Sequence, residues 1–146
     1  MIQNFSGNYR FLSNFWRCKV YYDNHWFPSV ECAYQYAKCF TDSDKLLLLK
    51  VTDSFESKKL GNYVALRSDW DSIKLRVMEN LVSQKFSNFP LDMLLLSTGE
   101  EELVEGNTWH DNFWGNCVCP ACENIPGFNN LGKILTKTRE GLHEKD

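Results

Sequence analysis

An α+β fold, mostly helical with one small β-hairpin in a compact single domain, is what the sequence predicts, and three patterns carry that expectation. Apolar residues recur at helical spacing over Trp70, Ile73, Val77, Leu81 and Val82. β-Branched and aromatic residues gather on both sides of an Asp23-Asn24 pair between Lys19 and Phe27, the mark of a hairpin. No Gly/Ser linker, repeat or low-complexity stretch interrupts the 146 residues, so one domain over 1–146 is expected. A domain of this size buries roughly two-thirds of its unfolded surface and needs no staple to be stable.

The elements follow in order. After the hairpin and Pro28, Ser29 is a good N-cap for a helix from Val30 to Phe40, with Ala33, Ala37 and Phe40 as its core contacts. Asp42 or Ser43 opens a second helix running through Leu46 to Lys50. A short third helix is expected over Ser54–Leu60, with Gly61 as its left-handed stop. The long periodic stripe starts a fourth helix near Ser68 or Asp69. Pro90 to Leu96 reads as a brief helix, Glu102 to Glu105 as a short strand, and Asn129 to Leu142 as a terminal helix.

Composition narrows the function. With 16 Lys+Arg against 19 Asp+Glu the net charge is −3, which argues against a protein that coats nucleic acid backbones. The longest apolar run is Leu46 to Leu49, far short of a membrane span, and Met1-Ile2-Gln3-Asn4 has no leader character. A cytoplasmic location, or a nuclear one in a eukaryote, is expected, with no membrane and no obligate protein partner. Aromatic residues reach 14%, more than such a core needs, which points to a planar ligand. Six cysteines in that setting read as reduced thiols or metal ligands.

Three segments hold the candidate chemistry. In the helix after Ser29, Glu31, Tyr34, Gln35 and Lys38 stand at i, i+3, i+4 and i+7 and share one face. Such a stripe is ordinarily a solvated face, yet Glu31 lies in the first turn, where the helix dipole favours its ionised form. Further on, Arg67-Ser-Asp-Trp70 and Lys74 set a large ring one turn from a cation; Trp70 equally opens the core stripe to which it belongs. The third segment runs from Glu105 to Gly115 and concentrates Trp109, His110, Asp111 and Trp114 in eleven loop residues. Directly after it, Cys117, Cys119 and Cys122 have soft-metal spacing, and three thiolates are one ligand short of a tetrahedral site. His110 could complete the set, but no second C-x-x-C pair exists, so a reduced-thiol loop with no metal is the expectation.

Taken together, Phe11-Leu-Ser-Asn-Phe15, Ser29-Val-Glu31-x-x-Tyr-Gln-x-x-Lys38, Arg67-x-Asp-Trp70, Leu103-Val-Glu105, Asp111-x-x-Trp114-Gly115 and Asn130-Leu-Gly132 resemble the YbiA/NADAR family in order along almost the whole chain. The thiol segment also resembles an insert of some members. The resemblance implies a YbiA-like fold and an N-glycosidase without cofactor. Its substrate would be ADP-ribosylated guanine in a nucleotide or nucleic acid, or alternatively a phosphorylated riboflavin-pathway ribosylamine. A module that binds ADP-ribose without turnover is the reading from another class; a carboxylate beside an amine argues against it. By motif match Glu31 and Asp111 become the candidate acids, Lys38 the candidate amine, and Trp70 and Trp114 aromatic walls. Tyr34, Gln35 and Trp109 join the candidate binding residues, with Asn14 for ribose hydroxyls and Arg10, Arg67 and Lys74 as the nearest phosphate partners.

Overall fold

The computed structural model describes residues 1–145. Its contacts sort the described residues into two compact units, one of residues 14–85 and one formed by 1–13 together with 86–145. The α+β class agrees with expectation, with about half of the described residues helical, and no described helix is long and apolar enough to cross a membrane.

In residues 14–85 the hairpin pairs β1 (Val20–Tyr22) with β2 (His25–Phe27), Val20 opposite Phe27 and Tyr22 opposite His25. Asp23 and Asn24 take φ of 49° and 64°, the left-handed pair that a two-residue hairpin turn requires and that Asp and Asn tolerate. Helix α1 (Val30–Ala37) starts where Ser29 Oγ accepts the Cys32 N–H at 3.1 Å. Every residue of α1 is buried, with the hairpin, α2 (Asp42–Leu49), α3 (Ser54–Gly61) and α4 (Trp70–Lys85) packed around it. The solvated-face reading of the Glu31 stripe is thereby corrected: α1 is the central helix of its unit.

Two boundaries differ from expectation for local reasons. Helix α1 stops at Ala37 because the next residues pair with an extended segment instead: Cys39 bridges Leu66, Phe40 N–H donates to Ala65 O, and Arg67 N–H donates to Lys38 O. Phe40, expected in the core, is exposed as a result. Helix α2 opens at Asp42 as expected, with Thr41 before it as the cap, its hydroxyl accepting the Asp44 N–H. Gly61 is the last helical residue of α3, with Asn62 as its right-handed C-cap, rather than a left-handed stop. Helix α4 buries Trp70, Val77, Leu81 and Val82 as the periodicity foretold, with Ile73 half-buried. Truncating fully buried Leu81 to alanine would cost about 2–5 kcal/mol.

The other unit opens with a 3-10 turn at Gly7–Leu12 that buries Phe11 and Leu12 and has no periodic signal in the sequence. Helix α5 (Leu91–Leu96) follows, then β3 (Gly106–Asn107) pairs in parallel with β4 (Asn116–Cys117), and α6 (Asn130–Glu144) ends the unit. The strand expected over Glu102–Glu105 is a single bridge from Leu103 to Ile2. Its backbone groups are satisfied by other means: Val104 N–H donates to Ile2 O, and Glu105 N–H donates to the Asn129 side chain. Buried Arg139 anchors α6, donating to Thr98 Oγ1 at 2.8 Å and Glu101 O at 2.9 Å.

Candidate functional site

The stripe on α1 is the centre of the site in residues 14–85. Glu31 and Gln35 are only 7% and 4% exposed, which no solvated face would show. Burying a carboxylate demands partners, and Gln35 Nε2 donates to Glu31 Oε1 at 2.9 Å, the i to i+4 geometry of the helix. The Glu31 backbone N–H donates to Asn14 O, so the segment carrying Asn14 is tied to the first turn of α1. Lys38 closes the stripe at the C-cap of α1. Burial holds its ammonium below the usual lysine range, an effect that the negative charge of Glu31 partly offsets. An amine with a lowered pKa and a fixed carboxylate thus occupy one helix face.

Gly61 completes this arrangement. A Cβ there would stand 1.9 Å from Gln35 Oε1 and 3.0 Å from Lys38 Nζ, so a side chain at 61 would have to displace the Gln35 amide and crowd Lys38. Sequence reading made Gly61 a helix stop; its role is steric, and no local pattern announces that. Gln35 Oε1 is itself buried against Gly61 with no hydrogen-bond partner among the described residues.

The remaining candidates of this unit are placed less directly. Tyr34 packs on Trp70 with ring centroids 5.1 Å apart, and both rings are buried, so here Trp70 serves the core reading as well. The guanidinium of Arg67 grips both carboxylate oxygens of Asp69, at 2.6 and 3.2 Å, and holds that carboxyl below its usual range. Lys74 Nζ lies 3.3 Å from Asp71. Both expected phosphate partners therefore already have acidic neighbours. Asn14 is half-buried, its amide against Met78 Sδ at 3.5 Å.

In the other unit, Arg10 is exposed and its Nε donates to Gly7 O. The loop from Glu105 to Gly115 is organised by Asn107, a residue that sequence reading passed over. Buried Asn107 accepts the N–H groups of Trp109 and Asp111 on its Oδ1 and donates from Nδ2 to Asp111 O at 2.8 Å. Asp111 Oδ1 in turn accepts the N–H groups of Phe113 and Trp114, at 3.1 and 2.9 Å. Trp109 is exposed, while half-buried Trp114 meets Phe113 edge-on at 4.8 Å. Inside the Asn107 clamp His110 has φ of 68°, and its imidazole turns toward Cys117, Cys119 and Cys122. The sequence expectation placed no metal there.

The NADAR domain pattern matches residues 3–143. The chain is 34% identical over 140 residues to an N-glycosidase of Nostoc punctiforme, covering 92% of this chain and 86% of that one. It is 31% identical over 142 residues to the N-glycosidase YbiA of Escherichia coli, covering 94% and 84%. A riboflavin biosynthesis protein of Vibrio vulnificus is 34% identical over 140 residues, and there the chain spans 36% of the longer protein's length. The solution structure of E. coli YbiA superposes with a TM-score of 0.82 at 28% identity, over 99% of this chain and 86% of that one. The six motifs, the fold and these likenesses agree, and the chain belongs to the NADAR domain family.

Proposed function

We propose that this chain is an N-glycosidase that hydrolyses a ribosyl C–N bond, and that its substrate is guanine carrying ADP-ribose. The observation that carries the reaction class is the buried stripe of α1, which sets an amine of lowered pKa beside a carboxylate. Relatives named N-glycosidases support the same class. Cleaving the C–N bond builds positive charge at the anomeric carbon, which the fixed Glu31 carboxylate stabilises. Lys38 Nζ attacks C1′ as the bond to the base nitrogen breaks, and the base leaves with a proton. Ring opening then gives an imine, which water hydrolyses to release the sugar and regenerate the amine. Gln35 Oε1 is an acceptor for a ribose hydroxyl. The aromatic richness of the chain, 14% of its residues, favours a planar base as leaving group.

Incubation with ADP-ribosylated guanosine, ADP-ribosylated DNA and a riboflavin-pathway ribosylamine, with products identified by mass spectrometry, tests both levels of the reading. Release of ADP-ribose from the guanine substrates is expected. Turnover of the ribosylamine alone would move the chain to the function named for the Vibrio relative, and binding of ADP-ribose without turnover of any of the three would make it a reader. Borohydride added during turnover is expected to trap the sugar fragment on Lys38. Untrapped Lys38 with near-normal turnover in Lys38→Arg would leave water, assisted by Glu31, as the nucleophile.

A further inference from the structure

The structure assigns a zinc site to His110, Cys117, Cys119 and Cys122, and from this geometry we infer that the loop following Asn107 is held by a structural zinc ion. The ligand atoms of these four side chains all lie within 4.8 Å of one another. His110 Nδ1 stands 3.3 Å from Cys122 Sγ, 3.4 Å from Cys119 Sγ and 4.0 Å from Cys117 Sγ. In a tetrahedral zinc site, Zn–S bonds of about 2.3 Å and Zn–N bonds of about 2.0 Å put nitrogen and sulfur about 3.5 Å apart. The observed distances bracket that value. All three sulfurs are free thiols rather than disulfide halves, and three thiolates with one imidazole are the donor set that zinc prefers.

The backbone around the cluster is shaped to hold it. A histidine with φ of 68° is strained, and the strain is sustained by the Asn107 clamp, whose amide grips Asp111 on both its N–H and its carbonyl. Cys119 precedes and Cys122 ends the short 3-10 turn Pro120–Cys122, and Cys122 N–H donates to Cys119 O at 3.0 Å, while both sulfurs stand beside His110 Nδ1. Cys117 N–H is held by Asn112 Oδ1 at 2.9 Å. A surface hollow of about 500 Å³ beside the thiols gives the ion a way in. Four protein ligands leave no open position, so the ion secures the loop and performs no chemistry. Binding displaces the thiol protons and leaves the site with one net negative charge.

Elemental analysis of the full chain, purified without chelator, is expected to return about one zinc per chain. The metal-stripped chain titrated with cobalt is expected to show the visible absorption of tetrahedral cobalt with thiolate-to-metal charge transfer in the near ultraviolet, both bleached by added zinc. Neither measurement depends on a variant that folds. His110→Ala is expected to weaken zinc binding by tenfold or more, and Cys18→Ser, outside the cluster, to retain full stoichiometry. Cobalt spectra of an octahedral, oxygen-liganded ion, zinc below about 0.1 per chain even after incubation with excess metal, or a native disulfide among the three cysteines would each overturn the assignment.

Discussion

Two regions of this molecule place functional groups by opposite means. On α1 the placement is regular: helical geometry alone puts Glu31, Gln35 and Lys38 on one line, and burial by four surrounding elements sets their electrostatics. Between Glu105 and Cys122 there are only two strands of two residues and one short 3-10 turn, and Asn107, Asp111 and Asn112 do with side-chain amides and carboxylates what a ladder would do elsewhere. The difference teaches where each region is fragile. A helix stripe tolerates loss of one side chain and keeps its shape, whereas a loop built on side-chain hydrogen bonds loses its shape with one residue.

The largest expected effect breaks the helix side of that contrast chemically. Glu31→Gln keeps shape and the hydrogen bond to Gln35 while removing charge, so turnover should fall about 10²-fold or more with the melting temperature little changed. Steady-state kinetics beside thermal melts would show it, and unchanged turnover would remove Glu31 from the mechanism. Gly61→Ala comes next. The new methyl must displace the Gln35 amide and crowd Lys38 Nζ, and kcat/KM should drop about tenfold.

On the loop side, Asp111 separates charge from acceptor. Asp111→Asn retains an Oδ1 for the Phe113 and Trp114 N–H groups and should fold like the parent, while Asp111→Ala should lose about 1–2 kcal/mol by denaturant melt. Equal stability of the two variants would show that the turn does not need this side chain. If the asparagine variant keeps stability but loses activity, the charge itself is used in the reaction.

The smallest effect is a slope. Lys85 is buried, and its ammonium is pushed down to about 7, chiefly by burial, with an opposing influence from Cys18. Between pH 7 and about 8.5 the unfolded chain keeps a proton there that the folded one has released, so stability rises with pH across that window. Below it both states are charged and the burial penalty is fully present. Above it the raised pKa of Cys18 contributes a slope of opposite sign, because the unfolded thiol ionises first. Lys85→Met should flatten the rise in melting temperature from pH 6.5 to 8.5; an unchanged slope would assign it to other groups.

Regular structure was also what the sequence made legible. The hairpin with its Asp23-Asn24 turn, the Ser29 cap and the α4 stripe follow from neighbours within a few positions, and so does the common face of Glu31 and Lys38. Burial of that face was not legible, because it depends on α2, α3 and α4 arriving from later in the chain. The end of α1 was misplaced for the same reason: Leu66, twenty-seven positions on from Cys39, decides it. In the loop, Asn107 looked like any turn asparagine, and only its hydrogen bonds to a residue four positions away reveal the clamp. The signal for His110 was present in its spacing to the three cysteines, and what spacing lacked was the left-handed φ that turns the imidazole toward them.

The asparagine clamps also fix which chemical change the loop could not absorb. Asn107 and Asn129 each use both ends of the amide, donating from Nδ2 to a carbonyl, of Asp111 and Leu103 respectively, and accepting a backbone N–H on Oδ1. Deamidation, the slow hydrolysis that turns asparagine into aspartate, would set a carboxylate oxygen against each of those carbonyls, where no proton remains to share. Loss of either amide would therefore unsettle the loop or the start of α6, whereas the α1 stripe, whose glutamine makes one hydrogen bond to Glu31 from within a continuous helix, does not depend on an asparagine.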